Sequence, residues 1–296
     1  MAQITRFQRL KNAKLQIKSY FESSSKKIFT ELEMFNVLDE NREKWLLAKI
    51  TKVDDFTFFL KENEIIKEIL KIKIPLNKST TRYITGDYYD YEIGSSIYSK
   101  SYFSHYTAMY LNKLTYNTPK IIYVNREQSK KYISSAEDLT QENINKAFKN
   151  SMRKTNQIAT FKDVQIYMLS GKNTSNLGVV NLSINGKKIF VTGVERTLID
   201  IVVRPEYSGG PSEILEAYKL AKEHCSTNFL IALLKELDYV YPYHQSIGFY
   251  LEKAGYKESI LKRVEQIGIE FDFYLQYKLI NPEYSKRWKL FFPKGI

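Results

Sequence analysis

The sequence predicts an α+β protein of two or more domains, and three observations predict it. Capped, helically spaced segments fill the stretch before residue 62, period-two alternation recurs between residues 65 and 192, and the chain after Val194 is mostly helical again. At 296 residues the chain is long enough to bury a sizeable core.

Residues 1–85 read as three helices followed by a two-stranded ribbon, which is the order of a winged helix-turn-helix. The first helix spans Thr5 to Phe21, with Phe7, Leu10, Lys14, Ile17 and Phe21 on one face. Thr30 followed by Glu33 is a capping box opening a helix through Leu32, Phe35 and Leu38. Thr51 followed by Asp54 repeats the device and opens a third helix with Val53, Phe56 and Leu60 inward; in a winged helix this element lies in the major groove. Ile65 to Ile74 reads as a wing strand carrying Lys67, Lys71 and Lys73, Pro75 and Asn77 fit a turn, and Thr80 to Thr85 returns beside it.

The formal net charge is +12, and a basic surface attracts polyanions through its long-range field and counterion release. A solvated lysine-rich surface is the plainer reading. Placed on the winged-helix layout, Arg6, Arg9, Lys11, Lys14, Lys18, Lys49, Lys52, Lys61, Lys67, Lys71 and Lys73 would neutralise phosphates of a DNA duplex, and Thr51 would cap the groove helix. Asp54 and Asp55 suit a helix N-terminus but repel phosphates.

From residue 86 to 296 the texture is that of a second, mixed α/β domain. A tyrosine-rich loop follows Gly86. Tyr102 to Asn112 reads as a helix with Ser101 or Ser104 near its start, Ile121 to Asn125 as a strand, Thr140 to Lys149 as a helix and Val164 to Leu169 as a strand. Leu177 to Ile184 and Lys188 to Thr192 flank Asn185-Gly186, a strong hairpin signal because both residues tolerate positive φ.

Helices are then expected at Glu195–Val203, Pro211–His224, Ser226–Asp238, Tyr243–Ala254 and Glu258–Ile267, with Gly255 and Gly268 as stops. Phe271, Phe273, Leu275, Tyr277 and Leu279 alternate with polar residues, Asn281-Pro282 turns, and Trp288 to Phe292 pairs back as a terminal β-hairpin.

The segments Ser101-Tyr-Phe-Ser-His-Tyr-Thr-Ala and Val194-Glu-Arg-Thr-Leu-Ile-Asp, the latter followed by Arg204-Pro-Glu-Tyr-Ser-Gly-Gly210, resemble the AbiEi family of antitoxins. That family is the antitoxin half of type IV, abortive-infection toxin-antitoxin systems used in phage defence. The resemblance implies an N-terminal winged helix-turn-helix repressing its own operon on double-stranded operator DNA, and a C-terminal antitoxin domain. It also implies a functional partner, a nucleotidyltransferase toxin, countered without a stable complex. Ser104, His105, Tyr106, Glu195, Arg196, Asp200, Arg204 and Glu206 then form either an antitoxicity surface or a structural network. In the structural reading Arg196 and Asp200 pair as i,i+4 neighbours, the guanidinium reaches backbone carbonyls or Glu206, and Gly209-Gly210 makes a tight turn.

No catalytic activity, metal or cofactor is expected. Glu195, Asp200 and Glu206 lack a water-activating partner, Asp272, Gln276 and Lys278 are explained by strand alternation, and no phosphate-binding glycine loop occurs. The alternatives are a nucleic-acid-cleaving defence enzyme with a metal site in the C-terminal half, or an inhibitor that binds its partner protein directly. No apolar run approaches the ~20 residues of a membrane helix, the N-terminus lacks a signal core, and the single Cys225 makes no internal disulfide. These point to a cytoplasmic protein with no membrane partner.

Overall fold

The computed structural model describes residues 4–98, 100–130, 139–184 and 187–296. The fold mixes α and β, and the chain divides into two compact units, residues 1–99 with 157–165, and residues 100–156 with 166–296.

The first unit opens with α1 (Arg6–Asn12) and α2 (Lys14–Ser23), two successive helices joined at Ala13 where one continuous helix was expected. Their inward face is Leu10, Ala13, Ile17 and Phe21; Ala13 takes the place expected for Lys14, and Phe7 is 38% exposed. After β1 (Ile28–Phe29) comes α3 (Glu31–Asn41), with the expected capping box: the Thr30 hydroxyl accepts from Glu33 N–H at 3.2 Å, and the Glu33 carboxylate accepts from Thr30 N–H at 2.8 Å. Met34, Val37 and Leu38 are its buried residues, while Leu32 and Phe35 face outward.

The third helix, α4 (Val53–Glu62), starts one residue later than Thr51 and Asp54 imply. Its N-cap is Lys52, whose N–H donates to Asp55 at 3.1 Å. Thr51 is withheld from capping because the Arg42 guanidinium gathers the carbonyls of Ala48 and Thr51, at 2.9 and 3.2 Å, and holds the buried threonine in the preceding turn.

The ribbon forms as expected: β2 (Glu68–Ile74) and β3 (Lys78–Ile84) are antiparallel from Glu68↔Ile84 to Ile74↔Lys78. Leu76 and Asn77 at its tip have φ of 65° and 54°. The unit's strand order is β1, β3, β2 and then the strand Ile158–Phe161, which joins β2 at Lys73↔Thr160. Trp45 stacks on Phe56 at 5.9 Å and Phe21 meets Phe29 edge-on at 5.4 Å in the core. Each such fully buried side chain stabilises by roughly 1.5–3 kcal/mol.

The tyrosine-rich stretch after Gly86 is not wholly loop. It holds α5 (Asp90–Ile97), opened by Glu92 accepting from Tyr89 N–H at 2.9 Å. The weak helix formers Gly94, Ser95 and Ser96 masked it, and Ser96 earns its place by binding the buried Arg82 guanidinium at 2.9 Å.

In the second unit, β4 (Tyr102–Phe103) corrects the helix expected from Tyr102. The helix, α6 (His105–Leu111), begins only after Ser104. Then come β5 (Ile121–Glu127) and α7 (Gln141–Lys149), capped by Thr140. The strand Ile158–Phe161, already placed in the first unit, is β6. It is followed by β7 (Val164–Gly171), β8 (Val179–Ile184) and β9 (Lys187–Thr192). β8 and β9 pair antiparallel from Val179↔Thr192 to Ile184↔Lys187; the Asn185-Gly186 turn lies outside the described residues. The order in this unit is β7-β5-β4-β9-β8, with β4 and β9 parallel.

The helical region comprises α8 (Val194–Val203), α9 (Pro211–Ala221), α10 (Thr227–Leu237), α11 (Tyr243–Lys253) and α12 (Glu258–Glu265), around a core that includes Ile199, Tyr218, Leu230 and Tyr250. Gly255, with φ of 74°, follows α11 as expected.

The C-terminal end is a three-stranded sheet, not the hairpin expected. β10 (Phe273–Tyr274) runs parallel to β12 (Leu290–Phe292), and β11 (Glu283–Ser285) is the antiparallel partner. The last bond to β12 is from Leu275 N–H to Phe291 O at 2.8 Å; beyond it the chain leaves the strand, with Lys278 at a φ of 51° and its N–H donating to Phe148 O at 2.7 Å.

Candidate functional site

The cations singled out in the first unit fall into two groups. Some are engaged: Arg6 pairs with Asp55 at 3.1 Å, Arg9 donates to Leu46 O at 3.0 Å, Lys18 lies 3.7 Å from Glu22, and Lys61 donates to Lys67 O at 3.2 Å. Lys11, Lys14, Lys49, Lys52, Lys67, Lys71 and Lys73 are exposed. Lys71 and Lys73 sit opposite Thr81 and Ser79, on the same face of the ribbon. The engaged cations still matter, since Arg6 offsets the Asp55 charge at the start of α4.

In the second unit the first motif anchors α6. The Ser104 hydroxyl and His105 Nδ1 share a 2.8 Å hydrogen bond, and His105 takes a positive φ of 52°. The Thr107 hydroxyl accepts from Tyr123 N–H at 2.8 Å, fixing α6 to β5, while Asn112 Nδ2 donates to Thr192 O at 2.8 Å and Thr197 Oγ1 at 3.1 Å. The Tyr106 hydroxyl donates to Glu213 at 2.9 Å, where Thr115 Oγ1 (2.6 Å) and Asn117 Nδ2 (3.2 Å) converge as well. Gly209 makes this possible. With φ of 80° it lies so close that a Cβ would come 2.9 Å from Glu213 Cβ and 3.0 Å from the Tyr106 ring.

The second motif holds a buried ion pair. Arg196 Nε donates to Asp200 Oδ1 at 2.8 Å, and its Nη1 reaches Leu177 O at 2.6 Å and Thr174 Oγ1 at 3.2 Å. Thr174 N–H donates to Glu127 at 2.7 Å, Tyr102 donates to the same carboxylate at 3.1 Å, and Asn125 Nδ2 donates to the Tyr102 hydroxyl at 2.7 Å. The guanidinium thus meets backbone carbonyl and Asp200, as expected, and not Glu206, which pairs with Lys154 at 2.7 Å. Glu195 accepts from Ser226 N–H at 2.7 Å, and Arg204 Nη1 donates to Arg153 O at 3.4 Å.

Burial, aided by the Arg204 and Arg196 charges, pushes the His105 pKa down to about 3, so the ring is neutral at pH 7. Burial raises the Asp200 pKa against the pull of Arg196, while Asp200 keeps the buried guanidinium charged. Burial also pushes the Cys225 thiol up to about 12.

Among the described residues no His, Cys, Asp and Glu group could hold a metal ion. Glu195, Asp200 and Glu206 each have a different partner, and Asp272 Oδ1 accepts from the Tyr284 hydroxyl at 2.5 Å. Sequence reasoning missed Glu213, Glu127, Tyr102 and Thr174. Glu213 lies 107 residues from Tyr106 and 98 from Thr115, so no local spacing could have linked them.

No protein family and no curated protein matches the sequence. In fold the chain is similar to the RV2827C protein from Mycobacterium tuberculosis, known from a crystal structure, with a TM-score of 0.57 and 11% identity over 94% of this chain and 90% of that one. At that identity the likeness is one of fold alone. No helix among the described residues is long and apolar enough to cross a membrane.

Proposed function

We propose that the protein is an antitoxin of the AbiEi type. Its first unit, as a winged helix-turn-helix, binds double-stranded operator DNA and represses its own operon. Its second unit neutralises a nucleotidyltransferase toxin in the cytoplasm without a stable complex and without catalysis of its own.

One observation carries the reading. The first unit runs helix, helix, strand, helix, helix, strand, strand, which is the order of a winged helix with its first helix broken in two at Ala13, and its ribbon presents Lys71 and Lys73 on one exposed face. The net charge of +12 supports a polyanionic partner. The two motifs support the second half through the family resemblance they carry; Tyr106 links α6 to Glu213 of α9, and Asn112 links it to Thr197 of α8.

The test is fluorescence anisotropy of the purified protein on a duplex from its own upstream region and on a scrambled duplex, over a salt series. Preference for its own duplex by a factor on the order of several hundred, with a steep salt slope, is the expected result. Equal weak binding to both would reduce the first unit to an interaction module. Charge reversal at Lys52 and Lys71 should abolish operator binding while protection from the toxin survives; loss of both together would sink the division of labour.

A further inference from the structure

The outward face of α4 is an odd one for a DNA-binding helix. Phe58 is 59% exposed at its middle, and Asp54 stands exposed one turn before it. Asp55 is accounted for, since it accepts from Lys52 N–H and pairs with Arg6. Among the described residues Asp54 has no ion-pair partner.

A carboxylate and an exposed benzyl group are both useless against phosphate. The floor of the major groove is different: it offers exocyclic amino donors on cytosine and adenine, and the thymine C5-methyl as an apolar contact. Asp54 and Phe58, as i and i+4, share one helix face about 6 Å apart along the axis. That is close to two steps of the duplex at about 3.4 Å each. The phosphate-binding role then falls to cations off this stripe: Lys49, Lys52, and Lys71 and Lys73 on the ribbon.

We infer that Asp54 and Phe58 are the base-reading residues of α4, with Phe58 packing on thymine methyl groups and Asp54 accepting from a cytosine amino group. The inference rests on the repressor reading and adds to it the residues that set operator preference. The acidic start of α4 thereby becomes a source of specificity.

The experiment uses the full chain and three duplexes: the upstream sequence, the same sequence with deoxyuridine in place of every thymidine, and a scrambled sequence. The wild type should lose on the order of tenfold in affinity when the methyls are removed. Phe58→Ala should bind the thymine duplex about as weakly as the wild type binds the uracil duplex, and no longer tell the two apart. Phe58→Leu should keep part of the discrimination. In selection from randomised duplexes, Asp54→Ala should relax the preference at cytosine positions.

A wild type that prefers its own sequence yet ignores the methyls would overturn the inference and leave the repressor reading standing. So would Phe58→Ala retaining the full difference. Equal binding to upstream and scrambled duplexes would overturn both. Conversion from dimer to monomer by Phe58→Ala in sedimentation would assign Phe58 to a contact between copies, and overturn the inference on that ground.

Discussion

Trp288 fills the space that a side chain at residue 248 would need: a Cβ on Gly248 would lie 2.2 Å from Trp288 Cζ3 and 2.4 Å from Cη2. The indole is tethered, since its Nε1 donates to Glu252 at 2.9 Å while the adjacent Arg287 binds Glu252, Glu258 and Glu265. Gly248→Ala should therefore destabilise the protein by about 1–3 kcal/mol, the usual cost of overpacking a core. Denaturant unfolding followed by tryptophan fluorescence measures it, and an unchanged midpoint would contradict this placement of the ring.

The Arg196–Asp200 pair, with side chains only 5% and 8% exposed, sets a second expectation. Arg196→Met leaves a buried carboxylate and strips partners from Leu177 and Thr174, so a loss of about 3–5 kcal/mol is expected at pH 7. Replacing both residues with apolar ones should cost markedly less than the single change. A double-mutant cycle on thermal unfolding decides the matter.

Glu213 gives the pH dependence. Burial works to raise its pKa, but hydrogen bonds from Thr115, Tyr106 and Asn117 outweigh that and hold it below the ordinary carboxylate value. A folded-state pKa below the unfolded one means stabilisation that is complete above about pH 4.3 and is lost as the pH falls through the folded value. Glu213→Gln should hence destabilise the protein at pH 7, with the difference from wild type shrinking below about pH 4. A difference that grows towards acid would reverse the sign of the argument.

Cys225 should be sluggish. With its thiol pushed up to about 12 by burial, little thiolate exists at pH 8. Alkylation by iodoacetamide should be slow in the folded protein and become rapid in denaturant; rapid labelling of the native protein would show the thiol to be more open than this.

If the ribbon binds operator DNA as proposed, Lys71→Ala and Lys73→Ala should each weaken that binding and lower the salt slope by about 1. Lys18→Ala, already beside Glu22, should change the slope less. The salt dependence of anisotropy titrations separates the two classes.

Local signals in the sequence carried far where the physics is local. Thr30 with Glu33, Thr140, the ribbon turn at Pro75 and Asn77, and the stop at Gly255 all act within four residues, and all stand where the spacing put them. Thr51 failed because a residue nine positions earlier, Arg42, decides its geometry. The C-terminal alternation misled for a related reason: Phe273 is paired with Leu290 in parallel, and period two is indifferent to strand direction. Of the candidate site, the Arg196–Asp200 pair was legible as an i,i+4 spacing. Glu127 and Glu213 were not, because their partners come from distant parts of the chain.

The strand Ile158–Phe161 gives the protein a timetable. It borders β2, so the ribbon's edge is complete only once residues far beyond Ile84 have been made. During translation at about 5–20 residues per second, β2 would wait on the order of ten seconds with an open edge. An unpaired strand edge is a template for pairing with another chain, so the late-made strand Ile158–Phe161 closes the side of the ribbon that would otherwise stay open.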